Sequence, residues 1–291
     1  MYDTIVIGKG PAGITAAIYL KRAGLSCLVI GKDEGNLAKA HLVENYYGFE
    51  NPIEGKELVN SGIKQAERLG ISVVTSEVIG IQMKEENNFA IRTVKQDYEA
   101  KTIILATGVN RTRPTIKGIK EFEGKGVSYC AICDAFFYRN KEVAVLGEGE
   151  YAYSEIQDLL PVAKKITLLT NGKKALDKRL PDIEIIEKKL KEVRGTRSIE
   201  SAIFDDNTSI KLDGLFIAEG TASSLDFARK LGAVLEGQNI KVNERQETTV
   251  PGIYAAGDCT GGILQISKAI YDGTKAAFSI IEKIRKERNE K

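Results

Sequence analysis

The chain of 291 residues is long enough for one large or two ordinary domains, and 43% of its residues are hydrophobic, as expected for a globular protein. Its net charge of +2 gives no reason to expect nucleic-acid binding, and no apolar run is long enough to cross a membrane. Four cysteines do not make a disulfide scaffold, and the first residues read as a strand rather than a signal peptide, so we expect a cytoplasmic protein.

The N-terminal segment has the pattern of a dinucleotide-binding turn. A short apolar strand at residues 2–8 leads into Gly8-Lys9-Gly10-Pro11-Ala12-Gly13 and then into a helical pattern, with a second strand at 27–30. Glycines at this spacing allow a tight turn, the approach of a pyrophosphate to the backbone, and close packing of helix on strand. The sequence therefore predicts a phosphate-binding turn at the start of the chain.

One departure follows the second strand. An acidic residue that would hold a ribose is expected at its end, but Gly31-Lys32-Asp33 stands there. We therefore expect the ribose contact from Asp33 or Glu34.

The next segments predict a helix and a small antiparallel layer. Residues 43–49 form a polar and aromatic turn, which is either a packed loop or a wall beside a flat cofactor. A helix is predicted from Gly55 to Leu69, followed by strand-like segments to Tyr98. The buried strand 102–108 ends in small residues, which let backbone pass close to a cofactor.

Residues 111–120 are basic and contain Pro114, as in a connection between domains, and a CxxC motif follows. Cys130 and Cys133 can close a small disulfide ring, and a helix start would raise the fraction of reactive thiolate. Asp134 is placed to give or take the thiol proton.

A zinc site would need four ligands, and Cys27, Cys259 and His41 form no second pair at suitable spacing. A structural role is disfavoured because so short a loop gives little entropic stabilisation. The motif thus indicates a redox-active pair.

The second half repeats the glycine-turn pattern. A strand at 142–147 opens into the turn 147–152 and a helix, and a further strand spans 165–169. The strand 214–218 leads back toward the first domain, and a strand ending at Gly257-Asp258 precedes another helix. The predicted fold class is α/β, with two Rossmann-like, three-layer nucleotide-binding domains, one inserted in the other, and a small antiparallel β layer.

Together these pieces resemble the low-molecular-weight thioredoxin reductases over the whole chain. The resemblance rests on the first glycine turn, Glu44-Asn45, Ala106-Thr107-Gly108, the stretch from Cys130 to Tyr138, and Ala256-Gly257-Asp258. It implies an FAD-binding domain made of residues 1–110 and 221–291, and an NAD(P)-type domain over 111–220 that carries the CxxC motif. It also implies homodimers whose two domains rotate to show the dithiol first to flavin and then to a thioredoxin-like substrate.

The resemblance also implies roles for individual residues. Cys133 would lie nearest the flavin, Cys130 would be the exchange thiol, and Asp134 the acid–base group, while Asp258 would hold the ribityl chain and Gln265 the flavin edge. The full set of implied FAD contacts is Gly8, Gly10, Pro11, Ala12, Gly13, Asp33, Asn36, Leu37, Asn45, Ala106, Thr107, Gly108, Gly257, Asp258, Gln265 and Ile266.

The NAD(P)-type domain departs from the family pattern. Members that use NADPH carry a His-Arg-Arg cluster where this chain has Thr170-Asn171-Gly172, and Lys173 and Lys174 beyond it are expected to be solvated. Glu148 and Glu150 in the glycine turn would repel a pyrophosphate. The sequence therefore indicates the NADPH-independent branch, which resembles ferredoxin-dependent flavin thioredoxin reductases, two-flavin disulfide oxidoreductases, and archaeal forms fed by a reduced deazaflavin.

Several alternatives stay open from the sequence. Arg111, Arg113, Lys117, Lys120 and Lys125 could meet an acidic ferredoxin or be ordinary surface. A second FAD could bind at Gly147, Gly149, Tyr151 and Ala152, with Tyr151 stacked on it. The other functional alternatives are an NADPH-dependent thioredoxin reductase with an unusual phosphate site, a small-molecule dithiol oxidase and a non-catalytic flavin redox sensor.

Overall fold

The chain folds into two compact units, one inserted in the other along the sequence. The computed structural model describes residues 1–84, 88–109, 115–177 and 183–290. Met1–Asn110 and Ser223–Lys291 make up the first unit, and Arg111–Ala222 the second. Within the described ranges, no helix is both long and apolar enough to span a bilayer.

The first unit is built on a seven-stranded sheet in the order β3-β2-β1-β6-β5-β4, with β17 beside β6. Its strands are β1 (Tyr2–Ile7), β2 (Cys27–Gly31), β3 (Ser72–Thr75), β4 (Val78–Met83), β5 (Phe89–Thr93), β6 (Asp97–Leu105) and β17 (Ile253–Ala255). The long β6 has three partners: it pairs parallel with β1, while its first half also pairs antiparallel with β5 and its second half also pairs parallel with β17. The predicted antiparallel layer is therefore an extension of the main sheet. A separate two-stranded ribbon joins β15 (Leu235–Glu236) and β16 (Asn239–Ile240).

Helices cover the sheet of the first unit and bring the glycine turn to its carboxyl edge. They are α1 (Pro11–Arg22), α2 (Gly55–Arg68), α5 (Ser224–Lys230) and α6 (Ile266–Asn289). Helix α1 begins at a proline, whose fixed φ and missing N–H suit a first helical position. Gly273 of α6 lies so close to α1 that a Cβ there would stand 2.1 Å from the Ala12 carbonyl oxygen. The two helices therefore pack closely, and both contribute small and aliphatic side chains to the buried core.

The second unit has a parallel sheet of its own, in the order β10-β9-β8-β14-β7. Its elements are β7 (Val127–Ser128), α3 (Ala131–Asp134), β8 (Glu142–Leu146), α4 (Glu150–Leu159), β9 (Lys165–Leu169), β10 (Glu184–Ile186) and β14 (Gly214–Ile217). A second, antiparallel sheet packs into the same core and consists of β11 (Leu190–Gly195), β12 (Ile199–Phe204) and β13 (Ser209–Lys211). The sequence analysis assigned no strands to this last sheet.

The predicted α/β class with Rossmann-like sheets is confirmed by this architecture. In both units a parallel strand runs into a glycine-rich turn and then a helix, at Gly8–Gly13 and at Gly147–Ala152. The carboxyl edges of the two parallel sheets are therefore the places where nucleotides would bind in this fold class.

Candidate active site

The CxxC motif sits at the junction of β7 and α3 in the second unit. Cys130 is the N-cap residue of α3 and forms a disulfide with Cys133, with 5.4 Å between the two Cα atoms. The backbone N–H of Cys133 donates to the Cys130 sulfur at 3.2 Å. The centre is therefore a closed disulfide ring at a helix start, where backbone donors point at the first sulfur.

A serine that the sequence analysis overlooked fixes the predicted acid–base group. Ser128 Oγ donates to Oδ2 of Asp134 at 2.7 Å, and the N–H of Cys130 donates to Ser128 Oγ at 3.1 Å. A hydroxyl has one hydrogen, so the single donor of Ser128 is used on Asp134 while its oxygen accepts from Cys130. The residue two places before the first cysteine thus ties Asp134 to the backbone of the disulfide ring.

A buried glutamate lies behind the same ring. Oε2 of Glu155 in α4 accepts a 2.7 Å hydrogen bond from the backbone N–H of Ala131, and Glu155 is only 1% exposed. The sequence analysis missed it, although one signal was present: Glu155 falls on the face of α4 that otherwise buries apolar and aromatic side chains.

The two sulfurs differ in exposure. Cys130 is 1% exposed, whereas Cys133 is exposed. In this structure Cys130, the residue expected to exchange with the substrate, is therefore the more buried of the two, and the division of roles stays a prediction. Large apolar side chains are exposed beside the ring at Ile132, Phe136 and Phe137.

Tyr138 closes the segment after the CxxC motif. Its ring lies edge-on to Phe216 with 5.2 Å between centroids. Burial, and then the negative charges of Asp134 and Asp213, raise the pKa of Tyr138 above its ordinary value. Tyr138 therefore stays protonated next to the acid–base candidate over the physiological pH range.

The glycine turn of the first unit fits a bound pyrophosphate. A Cβ at Gly8 would lie 2.1 Å from the Ala106 carbonyl oxygen, and one at Gly13 would lie 2.0 Å from the Gly8 oxygen. A Cβ at Gly10 would meet nothing within 4 Å. Two glycines are thus required for packing, while the third leaves open space over the backbone at the start of α1, where Pro11 and Ala12 follow.

The missing ribose acid has a structural reason. A side chain at Gly31 would collide with Lys9, whose Cγ would lie 2.8 Å from the added Cβ. Lys9 is buried, and its Nζ donates to Thr75 Oγ1 at 2.9 Å. Asp33, one candidate for the ribose contact, is exposed and accepts from the Gly35 N–H at 2.8 Å.

Other predicted cofactor residues of the first unit meet across long sequence separations. Asn45 Nδ2 donates to Gln265 Oε1 at 3.2 Å, immediately before Ile266 begins α6. Asn36 donates to the Val109 carbonyl at 3.0 Å and caps a 3-10 turn that begins at Leu37. The structure therefore brings Asn45 and Gln265 together at one place.

The segment Ala106-Thr107-Gly108 is anchored to the start of α5. Thr107 N–H donates to Ser224 Oγ at 3.0 Å, and Ser224 N–H donates to Thr107 Oγ1 at 2.7 Å. Gly108 has a left-handed φ of 71°. The second unit is inserted between Thr107 and Ser224 in the sequence. The hydrogen bonds thus join Thr107, which precedes the inserted segment, to Ser224, which follows it.

The Gly257-Asp258 turn depends on a buried aspartate that the sequence analysis also missed. Asp272 of α6 accepts from the Gly257 N–H at 3.1 Å and from Lys268 Nζ at 2.7 Å. Gly257 has φ of 84°, and Asp258 opens a short 3-10 turn. Asp272 therefore positions the turn that carries Asp258.

The second glycine turn is tightly packed and its tyrosine is hidden. A Cβ at Gly147 would lie 2.2 Å from the Ala218 oxygen and 2.9 Å from the Ala152 Cβ, and Gly149 caps α4. Tyr151 is 2% exposed. Stacking of Tyr151 on a second flavin would require this buried ring to become accessible, and the second flavin stays a prediction.

The loop after β9 has a left-handed backbone at two consecutive residues. Asn171 and Gly172 both have left-handed φ, at 52° and 82°. Asn171 Nδ2 donates to Glu219 Oε1 at 2.9 Å, and its Oδ1 accepts from the Leu190 N–H at 3.0 Å. Arginine is poorly suited to a left-handed position.

Lys173 is exposed, in line with the expectation that it is solvated, and it also has an ion-pair partner. Its ammonium forms an ion pair with Glu148 in the glycine turn, and this hydrogen bond is the first cause of the raised pKa of Lys173. The edge that a nucleotide would approach thus carries Glu148, Glu150 and Glu219, with Lys173 bound to the first of them.

The basic stretch is only partly available for a partner. Arg111 and Arg113 lie outside the described residues. Lys117 forms a 3.2 Å ion pair with Glu192, whereas Lys120 and Lys125 are exposed.

The other two cysteines are buried thiols of the first unit. Burial raises the pKa of Cys27 to about 11 and that of Cys259 to about 12. Both are therefore poor nucleophiles at neutral pH.

Comparisons with known proteins agree with this geometry. Residues 2–273 match the pyridine nucleotide-disulphide oxidoreductase family. The chain is 34% identical to a thioredoxin reductase of Aquifex aeolicus, with 96% of this chain and 92% of the relative covered.

Two solved structures are similar over nearly their whole length. An atypical thioredoxin reductase from Desulfovibrio vulgaris Hildenborough has 40% identity and a TM-score of 0.92, with 99% of each chain covered. A ferredoxin-flavin thioredoxin reductase from Clostridium acetobutylicum has 34% identity and a TM-score of 0.73, with 98% of each chain covered. Thioredoxin reductases of this family are flavoproteins that bind FAD. The chain belongs to the low-molecular-weight thioredoxin reductases of the pyridine nucleotide-disulphide oxidoreductase family, and it is a flavin-dependent disulfide reductase.

Proposed function

We propose that this enzyme reduces the disulfide of a thioredoxin-like protein through Cys130 and Cys133, with electrons from a low-potential donor other than NADPH. The observation that carries the proposal is the Cys130–Cys133 disulfide in a unit whose glycine turn carries acidic residues, one of them paired with Lys173. In each cycle the dithiol passes two electrons and two protons to the partner disulfide and returns to the disulfide.

The first unit has the features needed to hold FAD. The open backbone at Gly10, the paired Asn45 and Gln265, and the turn carrying Asp258 are all located in this unit. FAD, when bound, supplies the electron pair that opens the disulfide. The chain's own contribution is to bind it and to keep Asp134 against Ser128, ready to give and take the thiol proton.

The exposed apolar residues around the disulfide support a protein substrate. Phe136 and Phe137 are 72% and 68% exposed, and the Arg139 guanidinium lies 5.9 Å from the Phe136 ring centroid. Exposed aromatic and arginine side chains next to a reactive group are typical of a protein contact surface.

Three features of the second unit argue against NADPH as the donor. Carboxylates at Glu148 and Glu150 flank the glycine turn, where they would repel a pyrophosphate. The backbone at Asn171 and Gly172 is left-handed, where NADPH-using relatives carry arginines. The neighbouring Lys173 is paired with Glu148 and is not free to hold a 2′-phosphate.

A ferredoxin-like donor fits the energetics and one of the comparisons. Two electrons that pass from about −400 mV to a dithiol near −270 mV release about 6 kcal/mol. One of the similar solved structures is a ferredoxin-flavin thioredoxin reductase. The exposed Lys120 and Lys125 are available to an acidic partner.

The experiment compares thioredoxin reduction by the wild-type flavoprotein and by Cys133→Ser, with dithionite as a chemical donor under anaerobic conditions. Wild type should turn over, and Cys133→Ser should lose about a thousandfold or more, because no disulfide can form. Cys27→Ser is the matched control, since Cys27 is buried in the other unit and should retain activity. Undiminished turnover by Cys133→Ser would reject the role of the pair.

A further inference from the structure

The buried carboxyl of Glu155 has no role in the proposed chemistry so far, yet it lies against the disulfide ring. Its Oε2 accepts from the N–H of Ala131 at 2.7 Å, and this N–H belongs to the peptide that joins Cys130 to Ala131. Glu155, Cys130 and Ala131 are all almost fully buried, so water screens charges here only weakly.

A negative charge at this point opposes the usual effect of a helix start. The amino end of a helix favours a thiolate, and strongly stabilised thiolates make oxidising dithiol pairs. A carboxylate at the same end offsets that stabilisation and disfavours an anion on the adjacent sulfur.

We propose that Glu155 is a positioning residue that keeps the Cys130–Cys133 pair reducing: its negative charge, held against the Ala131 N–H, disfavours a thiolate at Cys130. The inference rests on the proposed function of this pair. In this proposal Glu155 acts through the backbone of the ring, by its hydrogen bond to the Ala131 N–H. The role is distinct from that of Asp134, which is held by Ser128.

The test must separate Glu155 from the other titratable groups of the elements packed here. These are Cys133 and Asp134 on α3, Glu150, Tyr151, Tyr153 and Asp158 on α4, and Tyr138 on the turn that follows α3. Only Glu155 is altered by Glu155→Gln, which removes its charge and keeps an oxygen to accept from Ala131.

The experiment equilibrates the flavin-loaded protein with dithiothreitol buffers from pH 6 to 9.5, then traps thiols by alkylation and counts them by mass spectrometry. At pH 6 wild type and Glu155→Gln should have the same equilibrium constant, because the thiols are protonated in both. As pH rises, the equilibrium constant for forming the reduced pair should become about tenfold larger in the variant than in wild type. This change is equivalent to a reduction potential that is higher by about 30 mV.

Three further variants make the result decisive. Glu155→Ala removes the same charge and should show the same pH-dependent change in the equilibrium constant. It can therefore replace Glu155→Gln if that variant folds poorly. Glu155→Asp keeps the charge and should follow wild type. Asp158→Asn removes a charge from the same helix and should also follow wild type.

Two results would overturn the proposal. One is that the equilibrium constants of wild type and Glu155→Gln are the same at every pH. The other is that they differ by the same factor at every pH, which would indicate a structural role. Because the equilibrium is measured without a protein substrate, it stands apart from the Cys133→Ser turnover test. Failure of one is therefore distinguishable from failure of the other.

Discussion

The Ser128 hydroxyl and the Asp134 carboxylate are joined by a 2.7 Å hydrogen bond across the base of the disulfide ring. Ser128 lies at the end of β7 and Asp134 at the end of α3, so the bond fixes the strand-to-helix turn that presents Cys130. The predicted acid–base group is therefore held in place by a side chain of the neighbouring strand.

Removing this hydroxyl should slow the chemistry without removing the acid. We expect Ser128→Ala to lower kcat for thioredoxin reduction by about 10- to 100-fold, because the carboxyl loses its fixed position. Asp134→Asn should lose more, by about 10²- to 10⁴-fold, because it removes the proton-transfer group itself. Steady-state kinetics with dithionite checks both.

The exposed serine Ser198 in the same unit provides the control, and Ser198→Ala should behave as wild type. A Ser128→Ala enzyme with full kcat would show that the hydrogen bond does not position the acid.

The glycines of the first turn should separate cofactor binding from folding. Gly10 has φ of −79° and open space at its Cβ, so Gly10→Ala should fold and yet lower FAD affinity by tenfold or more, since the methyl enters the pyrophosphate path. Flavin-to-protein ratio and thermal unfolding of the flavin-free protein measure the two effects.

Gly8→Ala should instead destabilise the chain itself, because its Cβ would lie 2.1 Å from the Ala106 oxygen at a φ of 119°. Gly62→Ala in α2 has its nearest contact at 3.7 Å and should be harmless. Normal FAD binding by Gly10→Ala would place the pyrophosphate elsewhere.

The buried thiols make the fold sensitive to alkali. The pKa of Cys259 is raised from 9.0 to about 12 by burial, so above pH 9 the unfolded chain releases a proton that the folded chain keeps. The free energy of unfolding should therefore be undiminished below pH 9 and fall as pH rises toward 12, by about 1 kcal/mol at pH 10 from this thiol.

Urea unfolding of wild type and Cys259→Ala at pH 7.5 and 10 tests this dependence. The variant should be less stable at pH 7.5, by about 1 to 2 kcal/mol for the cavity, but should lose less between the two pH values. Parallel losses in both proteins would mean that Cys259 does not carry the effect.

Local patterns were enough to predict the two glycine turns, the disulfide and the α/β class. Each is encoded within about ten neighbouring residues, as in Gly8–Gly13 or Cys130–Asp134, where backbone requirements dictate residue type. The strands β11 to β13 went unassigned although they form a sheet in the core of the second unit.

Contacts between distant residues could not be predicted. Glu155 meets Ala131 from another helix, Asn45 meets Gln265 across 220 positions, and Asp272 supports Gly257 from α6. Lys173 and Asn171 likewise looked like loop residues until their partners Glu148 and Glu219 were visible. Such pairings depend on which elements the fold brings side by side, and no short motif records that.

In the proposed function, electrons enter this enzyme from a carrier other than NADPH. The most direct test is anaerobic titration of the purified flavoprotein, with flavin bleaching followed as NADPH, NADH or reduced ferredoxin is added in separate runs. We expect reduced ferredoxin to bleach the flavin and neither nucleotide to do so. Rapid bleaching by NADPH would contradict this proposal, and would show that the acidic edge around Glu148 and the left-handed loop at Asn171 still accept the nucleotide.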